Sequence, residues 1–200
     1  MRFQRLMILG LLMVGVFFWG QAPKLIQAQS PTATPMPDMS TDMSKDMLSL
    51  IHDVRVATTQ YHDLDTATKG GYGKFLDCFT HGPDMGMGQH YVNGDLAGDD
   101  KLDPLKPEAL VYEPLGDGKM TLVAFEYLMF ADKWDPNNTG KAAPSLFGQE
   151  FHLKTNIPQT PPVWTLHIWL WSHNPDGLFA DYNPLIVCPA DQPIVDMSKA

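Results

Sequence analysis

Three ionisable residues lie in the middle of apolar segments, and their types are those of a metal site or of an acid–base pair. His90 lies in MGQHYVN, Glu126 in MTLVAFEYLMF and His167 in WTLHIWLWS. Two imidazoles and one carboxylate that face one cavity can bind a transition metal such as copper or zinc, or act as general acid and base. The spacing does not force the three segments to be neighbours. A structural role therefore stays open, in which a buried Glu126 is hydrogen-bonded to a histidine or tyrosine and fixes the core.

Four further side chains are secondary candidates for the same site. Glu150 and His152 flank one phenylalanine in FGQEFHLKT, and Trp169 and Trp171 follow His167 at alternate positions. Strict alternation along a strand would place His167 and both tryptophans on one face. There the tryptophans could form a shelf on which a sugar or another ring stacks, although packing in the core or at a sheet edge is the commoner role of such residues.

Strict alternation also assigns the two faces of the segment that carries Glu126. It places Leu122 on the face of Glu126, and it places Phe125 and Tyr127 on the opposite face. Leu122 and Glu126 are therefore expected to point in the same direction, away from the phenylalanine and the tyrosine.

The stretch CFTHGPDM, residues 78–85, contains the cysteine, histidine and methionine that blue-copper sites use as ligands. Such a site also needs a second histidine from an earlier strand, whereas His52 and His62 lie in a predicted helix. Cys78 and Cys188 instead predict a disulfide, because an exported chain normally enters an oxidising compartment. The bridge would close a loop of about 110 residues and contribute on the order of 4 to 5 kcal/mol to stability.

Residues 1–28 have the order of a secretory signal peptide. The basic start MRFQR is followed by the apolar run LMILGLLMVGVFFWG and by the polar stretch QAPKLIQAQS. We expect cleavage after Ala28. The apolar run is shorter than the about 20 residues that span a bilayer, so we expect no transmembrane segment after cleavage. The mature chain would be secreted, or retained in the periplasm or at the cell surface.

The net charge of the chain and the composition of residues 29–46 both bear on possible partners. The whole chain has a formal net charge of −9, and loss of the basic leader makes it more acidic, which disfavours a nucleic-acid partner. Residues 29–46 are rich in Pro, Ser, Thr, Asp and Met and predict a disordered linker. Met39, Met43 and Met47 recur at a spacing of four, so on a helix their thioethers would share a face and could bind Cu(I). A plain acidic tether is the simpler interpretation.

Residues 47–200 are predicted to form one α+β domain. An apolar stripe from Met47 to Ala67 predicts an amphipathic helix that ends near Thr68. Five strands are predicted after it, over residues 87–93, 109–113, 120–130, 147–155 and 164–172. We expect the helix to pack on a curved, mainly antiparallel sheet that is stapled by one disulfide. A ligand pocket is expected between the helix and the sheet.

Four phrases in this order resemble a family of exported bacterial proteins that has no established activity. They are MGQHYVNGDLAGDDKLDPLKPEALVYEP, LVAFEYLMF, LFGQEFHL and LHIWLWSHNPDGLFADYNPLIVC. The resemblance covers about residues 48–190. It implies a domain that is used repeatedly as an exported module, and it transfers no activity, cofactor or catalytic residue.

The leading functional hypothesis is an exported binding domain whose pocket holds a small ligand or a transition metal through His90, Glu126 and His167. One alternative is a hydrolase- or lyase-type enzyme that uses a histidine as base and Glu126 as its partner. Another is a non-catalytic surface interaction protein that binds its partner through the tryptophan-rich strand. The distances among the three ionisable side chains distinguish these hypotheses most directly.

Overall fold

The structure, a computed structural model, describes residues 45–115 and 117–199. The predicted signal peptide over residues 1–28, and nearly all of the predicted linker over residues 29–46, lie outside the described residues. Within the described ranges, no helix is long and apolar enough to cross a bilayer. The α+β class predicted from the sequence is confirmed for this part of the chain.

Two short helices and a turn of 3₁₀ helix replace the single helix predicted from the apolar stripe. Their bounds are α1 (Lys45–Thr58), the 3₁₀ helix (Thr59–His62) and α2 (Leu64–Lys69). The break follows Thr58, whose hydroxyl donates back to the Val54 carbonyl at 2.6 Å. Asp63 then begins a new helix, because its carboxylate accepts from the Thr66 amide as an N-cap.

The inner face of α1 packs on the core of the domain. Ile51 and Val54 are buried there, and Met47 packs beside them. The side chain of Met47 therefore packs against the core. Met39 and Met43 lie outside the described residues, so the suggested thioether site for Cu(I) stays a prediction.

Nine strands follow α2 within the described residues. Their bounds are β1 (Tyr72–Thr80), β2 (Gly86–Asn93), β3 (Ala109–Pro114), β4 (Met120–Phe130), β5 (Ser145–Leu146), β6 (Gln149–Glu150), β7 (His152–Lys154), β8 (Val163–Ile168) and β9 (Ile194–Asp196). Two single-turn helices, α3 (Gly94–Ala97) and α4 (Ala131–Trp134), follow β2 and β4. Seven strands form one curled mixed sheet in the order β7-β8-β4-β3-β2-β1-β9, and β5 pairs with β6. Only the β1–β9 pair of the large sheet is parallel.

Three of the five predicted strands, now β2, β3 and β4, are confirmed to within one residue at each end. The count of five is wrong, partly because β1 was missed. Leu76 in β1 has a positive φ of 49°, and the pairing with β2 shifts register between Phe75 and Phe79. This irregularity removes the alternation by which a strand is recognised.

The strand predicted over residues 147–155 is broken into shorter pieces. Phe147 and Gly148 have φ angles of 54° and 71°, and they form the two-residue turn that joins β5 to β6. The strand predicted over residues 164–172 ends early, at Ile168. There the Leu170 amide donates to the Ile168 carbonyl at 3.1 Å, and this tight turn stops the pairing.

One face of the sheet packs against α1 and α2 and forms the main core. Its largest fully buried members are Leu110, Tyr112, Leu122, Phe125, Tyr127, Leu166 and Ile168. The tyrosines are buried without loss of hydrogen bonding: the Tyr112 hydroxyl donates to the Tyr61 carbonyl at 2.6 Å, and the Tyr127 hydroxyl donates to the Pro104 carbonyl at 2.7 Å.

A β-bulge in β4 changes which residues face this core. Val111 pairs with Ala124 but Tyr112 pairs with Leu122, so Val123 is an extra residue on the β4 side. Leu122 therefore lies in the core that contains Phe125, and the prediction that it shares the face of Glu126 is wrong. Beyond the bulge the predicted alternation holds, and Glu126 points away from the helices.

The predicted disulfide between Cys78 and Cys188 is confirmed, with the two Cα atoms 5.7 Å apart. Its formation uses the thiol that a blue-copper site would need, so CFTHGPDM is not such a site, as expected from the sequence. The bridge ties the C-terminal segment to β1, beside the place where β9 pairs with the same strand. The C-terminal segment also packs closely against β2 at Gly86, where a Cβ atom would collide with the Ile186 carbonyl.

Replacing both cysteines by alanine (C78A/C188A) should lower the free energy of unfolding by about 4 kcal/mol. The cause is the conformational entropy that the unfolded chain regains when the bridge no longer links two residues that are 110 positions apart. Urea unfolding at neutral pH measures the change. A loss below about 1 kcal/mol would mean that the bridge adds little beyond the contacts of β9.

A buried carboxyl group next to β3 should make stability depend on pH. Burial raises the pKa of Glu108 to about 8, although its Oε2 accepts from the Leu128 amide at 3.0 Å. Between about pH 4.5 and 8 the folded chain keeps a proton that the unfolded chain loses, so stability falls as pH rises through this window, by about 1 kcal/mol per pH unit.

Glu108→Gln should remove this part of the pH dependence, as measured by urea unfolding of metal-free protein at pH 5.5 and pH 7.5. The matched control is Glu150→Gln, because Glu150 is exposed on β6. Equal slopes in Glu108→Gln and the unmodified chain would show that Glu108 ionises normally.

Candidate metal centre

The strand order brings the three predicted site residues to one face of the sheet. Glu126 on β4 lies directly opposite His167 on β8, so their side chains share the face away from α1 and α2. His90 on β2 is separated from Glu126 by β3, where Val111 lies opposite His90 and Ala109 lies opposite Glu126. Both β3 side chains are small, and they leave room above β3 for Glu126 to reach His90.

The reactive atoms of the three side chains converge. The Nε2 atom of His90 lies 3.3 Å from Oε2 of Glu126 and 3.4 Å from Nε2 of His167, and the latter atom lies 3.6 Å from Oε1 of Glu126. All three could therefore offer one ligand atom to the same ion.

Burial sets the protonation of this group. His90, Glu126 and His167 are 3%, 7% and 0% exposed. Loss of water lowers the pKa of both imidazoles well below the usual histidine range, and in His90 the neighbouring His167 lowers it further. Burial raises the pKa of Glu126, with the Asp181 carboxylate as a second cause. The metal-free group is therefore uncharged at neutral pH.

Asp181, which the sequence reasoning missed, lies beside His167 and also contacts His152 and Lys154. Its Oδ1 lies 4.0 Å from Nδ1 of His167 and 2.9 Å from Nδ1 of His152, and its Oδ2 accepts from Lys154 at 2.6 Å. Histidines that bind a metal usually donate their second N–H group to such a carboxylate, but at 4.0 Å Asp181 lies beyond hydrogen-bond distance of His167 and acts on it as a nearby charge. Asp181 lies in an irregular segment, and only the disulfide at Cys188 suggested from the sequence that this segment returns to the sheet.

The secondary candidates do not join the group as ligands. His152 is exposed and contacts Asp181, and Glu150 is exposed on β6. Trp169 is buried, stacks on His167 with ring centroids 6.1 Å apart, and donates to the Ala180 carbonyl. Trp171 instead contacts His62 beside the helices.

The tryptophans therefore lie on different sides of the sheet, and the predicted common face is wrong. The reason is the end of β8 at Ile168, after which the chain no longer alternates as a strand. A single stacking shelf built from Trp169 and Trp171 is excluded by this geometry.

A cavity of about 430 Å³ lies in front of the group. His90 and Glu126 reach its wall, and most of the remaining lining is apolar. Representative apolar residues are Phe79, Met87, Leu128, Phe130, Val163 and Met197. The cavity lies on the sheet face opposite α1 and α2, so the predicted position between helix and sheet is wrong.

In comparisons with known proteins, no protein-family model, no curated protein and no solved structure matches this chain. What the group binds must therefore be inferred from its geometry and chemistry.

The stability of the metal-free chain distinguishes a binding role for Glu126 from a purely structural one. Glu126→Gln keeps the shape of the side chain but removes a buried group that can ionise, so at pH 8 it should raise the free energy of unfolding by about 1 kcal/mol. Urea unfolding in the presence of a chelator measures the change.

The control is Tyr112→Phe, which removes a structural hydrogen bond to the Tyr61 carbonyl and should cost about 1 kcal/mol. If Glu126→Gln destabilises as much as this control or more, Glu126 serves the core.

Proposed function

We propose that the chain binds one divalent transition metal, with Zn²⁺ as the preferred ion, through Nε2 of His90, Nε2 of His167 and the carboxylate of Glu126. One set of distances carries the proposal. In a tetrahedral zinc site with bonds of about 2.0 to 2.2 Å, neighbouring ligand atoms are about 3.3 to 3.6 Å apart. Here the two Nε2 atoms are 3.4 Å apart, and each lies near a different oxygen of Glu126: His90 is 3.3 Å from Oε2 and His167 is 3.6 Å from Oε1.

The same distances fit a set of hydrogen bonds less well. Hydrogen bonds from an N–H group to oxygen are about 2.7 to 3.2 Å long, and both N···O separations, 3.3 and 3.6 Å, exceed that range. An ion at the centre would satisfy all three atoms at once. It would also displace the proton of Glu126 to solvent, so that the carboxylate formed in this way faces a cation.

The acid–base alternative requires a histidine that exchanges its proton near neutral pH. Burial lowers the pKa of His90 and His167 far below that range, whereas a metal ligand has to be neutral imidazole. The chemistry of the pair therefore favours metal binding over a metal-free hydrolase or lyase. A surface interaction through the tryptophan-rich strand is disfavoured because Trp169 is buried.

Three protein ligands leave a fourth position of a tetrahedral site for water or another ligand. Since His90 and Glu126 reach the cavity wall, this position would face the cavity. Export of the domain, which the sequence resemblance implies, is part of the proposal. The disulfide between Cys78 and Cys188 is compatible with an oxidising compartment.

Metal-free protein should bind one Zn²⁺ per chain and gain stability, by about 3 kcal/mol when free zinc is 100 times the dissociation constant. Isothermal titration calorimetry and thermal unfolding measure this, with Cu²⁺ compared under the same conditions. His90→Ala, Glu126→Gln and His167→Ala should each abolish the zinc-dependent shift. His152→Ala is the control, because this exposed histidine should leave the shift unchanged; a shift lost only in His152→Ala would place the ion elsewhere.

A further inference from the structure

The cavity in front of the three ligand residues has the size of a site for an organic molecule. Its volume of about 430 Å³ falls within the range of about 300 to 1,000 Å³ that is typical of such sites. The curled sheet supplies one wall, and the connection between β7 and β8, over residues 155–162, lines the cavity as well. Tyr182 and Met197 from the C-terminal segment complete it.

Polarity is distributed unevenly over the lining. His90 and Glu126 are the buried polar side chains among the lining residues, whereas Asn156 and Gln159 are exposed and mark the mouth. Most of the surface between them is aromatic or aliphatic. A ligand that fits this distribution carries one polar group at the metal end and an apolar body behind it.

The charge of that polar group follows from the charges along the cavity. Glu126 is the one carboxyl group among the lining residues described, and a divalent ion bound by it leaves one net positive charge. Lys154 and the exposed His81 are the lining residues that could hold further negative charge, and Lys154 already pairs with Asp181 at 2.6 Å. One negative charge on the ligand therefore balances the metal end.

We propose, on the basis of the metal site proposed above, that the cavity holds a monocarboxylic acid with an apolar body. The carboxylate occupies the open position of the metal, and the apolar body packs against the walls formed by residues such as Phe79, Phe130 and Val163. A dianion would leave a charge without a partner in the cavity, and a neutral alcohol would leave the metal charge unbalanced.

Titration of the full chain with octanoate, acetate and octan-1-ol tests this proposal, with both Zn²⁺-loaded and Co²⁺-loaded protein. Octanoate should bind at least 100-fold more tightly than acetate, because each buried methylene group adds about fourfold in affinity. It should bind at least 10-fold more tightly than octan-1-ol and should change the visible spectrum of bound Co²⁺, since its carboxylate enters the coordination sphere.

Ala97→Trp places a large ring in the cavity without altering a metal ligand. It should weaken octanoate binding at least 10-fold and leave Zn²⁺ affinity unchanged. Val56→Trp is the matched control, because Val56 is 64% exposed on α1, and it should change neither affinity.

The failure of this proposal is distinct from the failure of the metal site. Zn²⁺ binding without octanoate binding overturns the ligand proposal alone, and so does octanoate binding that leaves the Co²⁺ spectrum unchanged or is equally tight in metal-free protein. Equal affinities for octanoate and octan-1-ol overturn the role of charge. Absence of Zn²⁺ binding overturns both proposals, because no open metal position then exists.

Discussion

Mutual burial of one carboxyl group and two imidazoles is the constraint on which the arrangement of the sheet depends. Glu126, His90 and His167 lose their hydration together, and the uncharged forms are the ones that this environment tolerates. Their convergence requires that β2, β3, β4 and β8 keep their present register. A slip of β4 by one residue would turn Glu126 towards the core under the helices, turn Phe125 out of that core and separate Glu126 from both histidines.

The rest of the domain supports the sheet on one side and covers part of the buried group on the other. The helices cover the opposite side of the sheet, where hydroxyl groups such as that of Tyr127 find backbone acceptors. The C-terminal segment, tied to β1 by Cys188, carries Asp181 to the back of His167 and adds lining to the cavity. The disulfide thus acts on the group indirectly, since it holds the segment that positions the outer carboxylate.

Much of the group could be predicted because an ionisable residue inside an apolar strand is conspicuous. His90, Glu126 and His167 were found in that way, and adjacent strands then bring such residues together. Asp181 could not be found, because it lies in an irregular segment whose path depends on long-range contacts.

The faces of the strands were predicted less well where the backbone departs from a regular strand, as at the bulge of Val123 and the turn after Ile168. The cavity was assigned to the wrong side because both faces of the central strands are apolar in sequence.

The proposed coordination is best tested by a crystal structure of zinc-soaked protein, with anomalous data collected on both sides of the zinc absorption edge. We expect one strong anomalous peak at about 2.0 to 2.2 Å from Nε2 of His90, Nε2 of His167 and a carboxylate oxygen of Glu126. The result that would contradict it is the absence of a peak at this position, or a single peak between His152 and Asp181 with the three buried side chains unchanged.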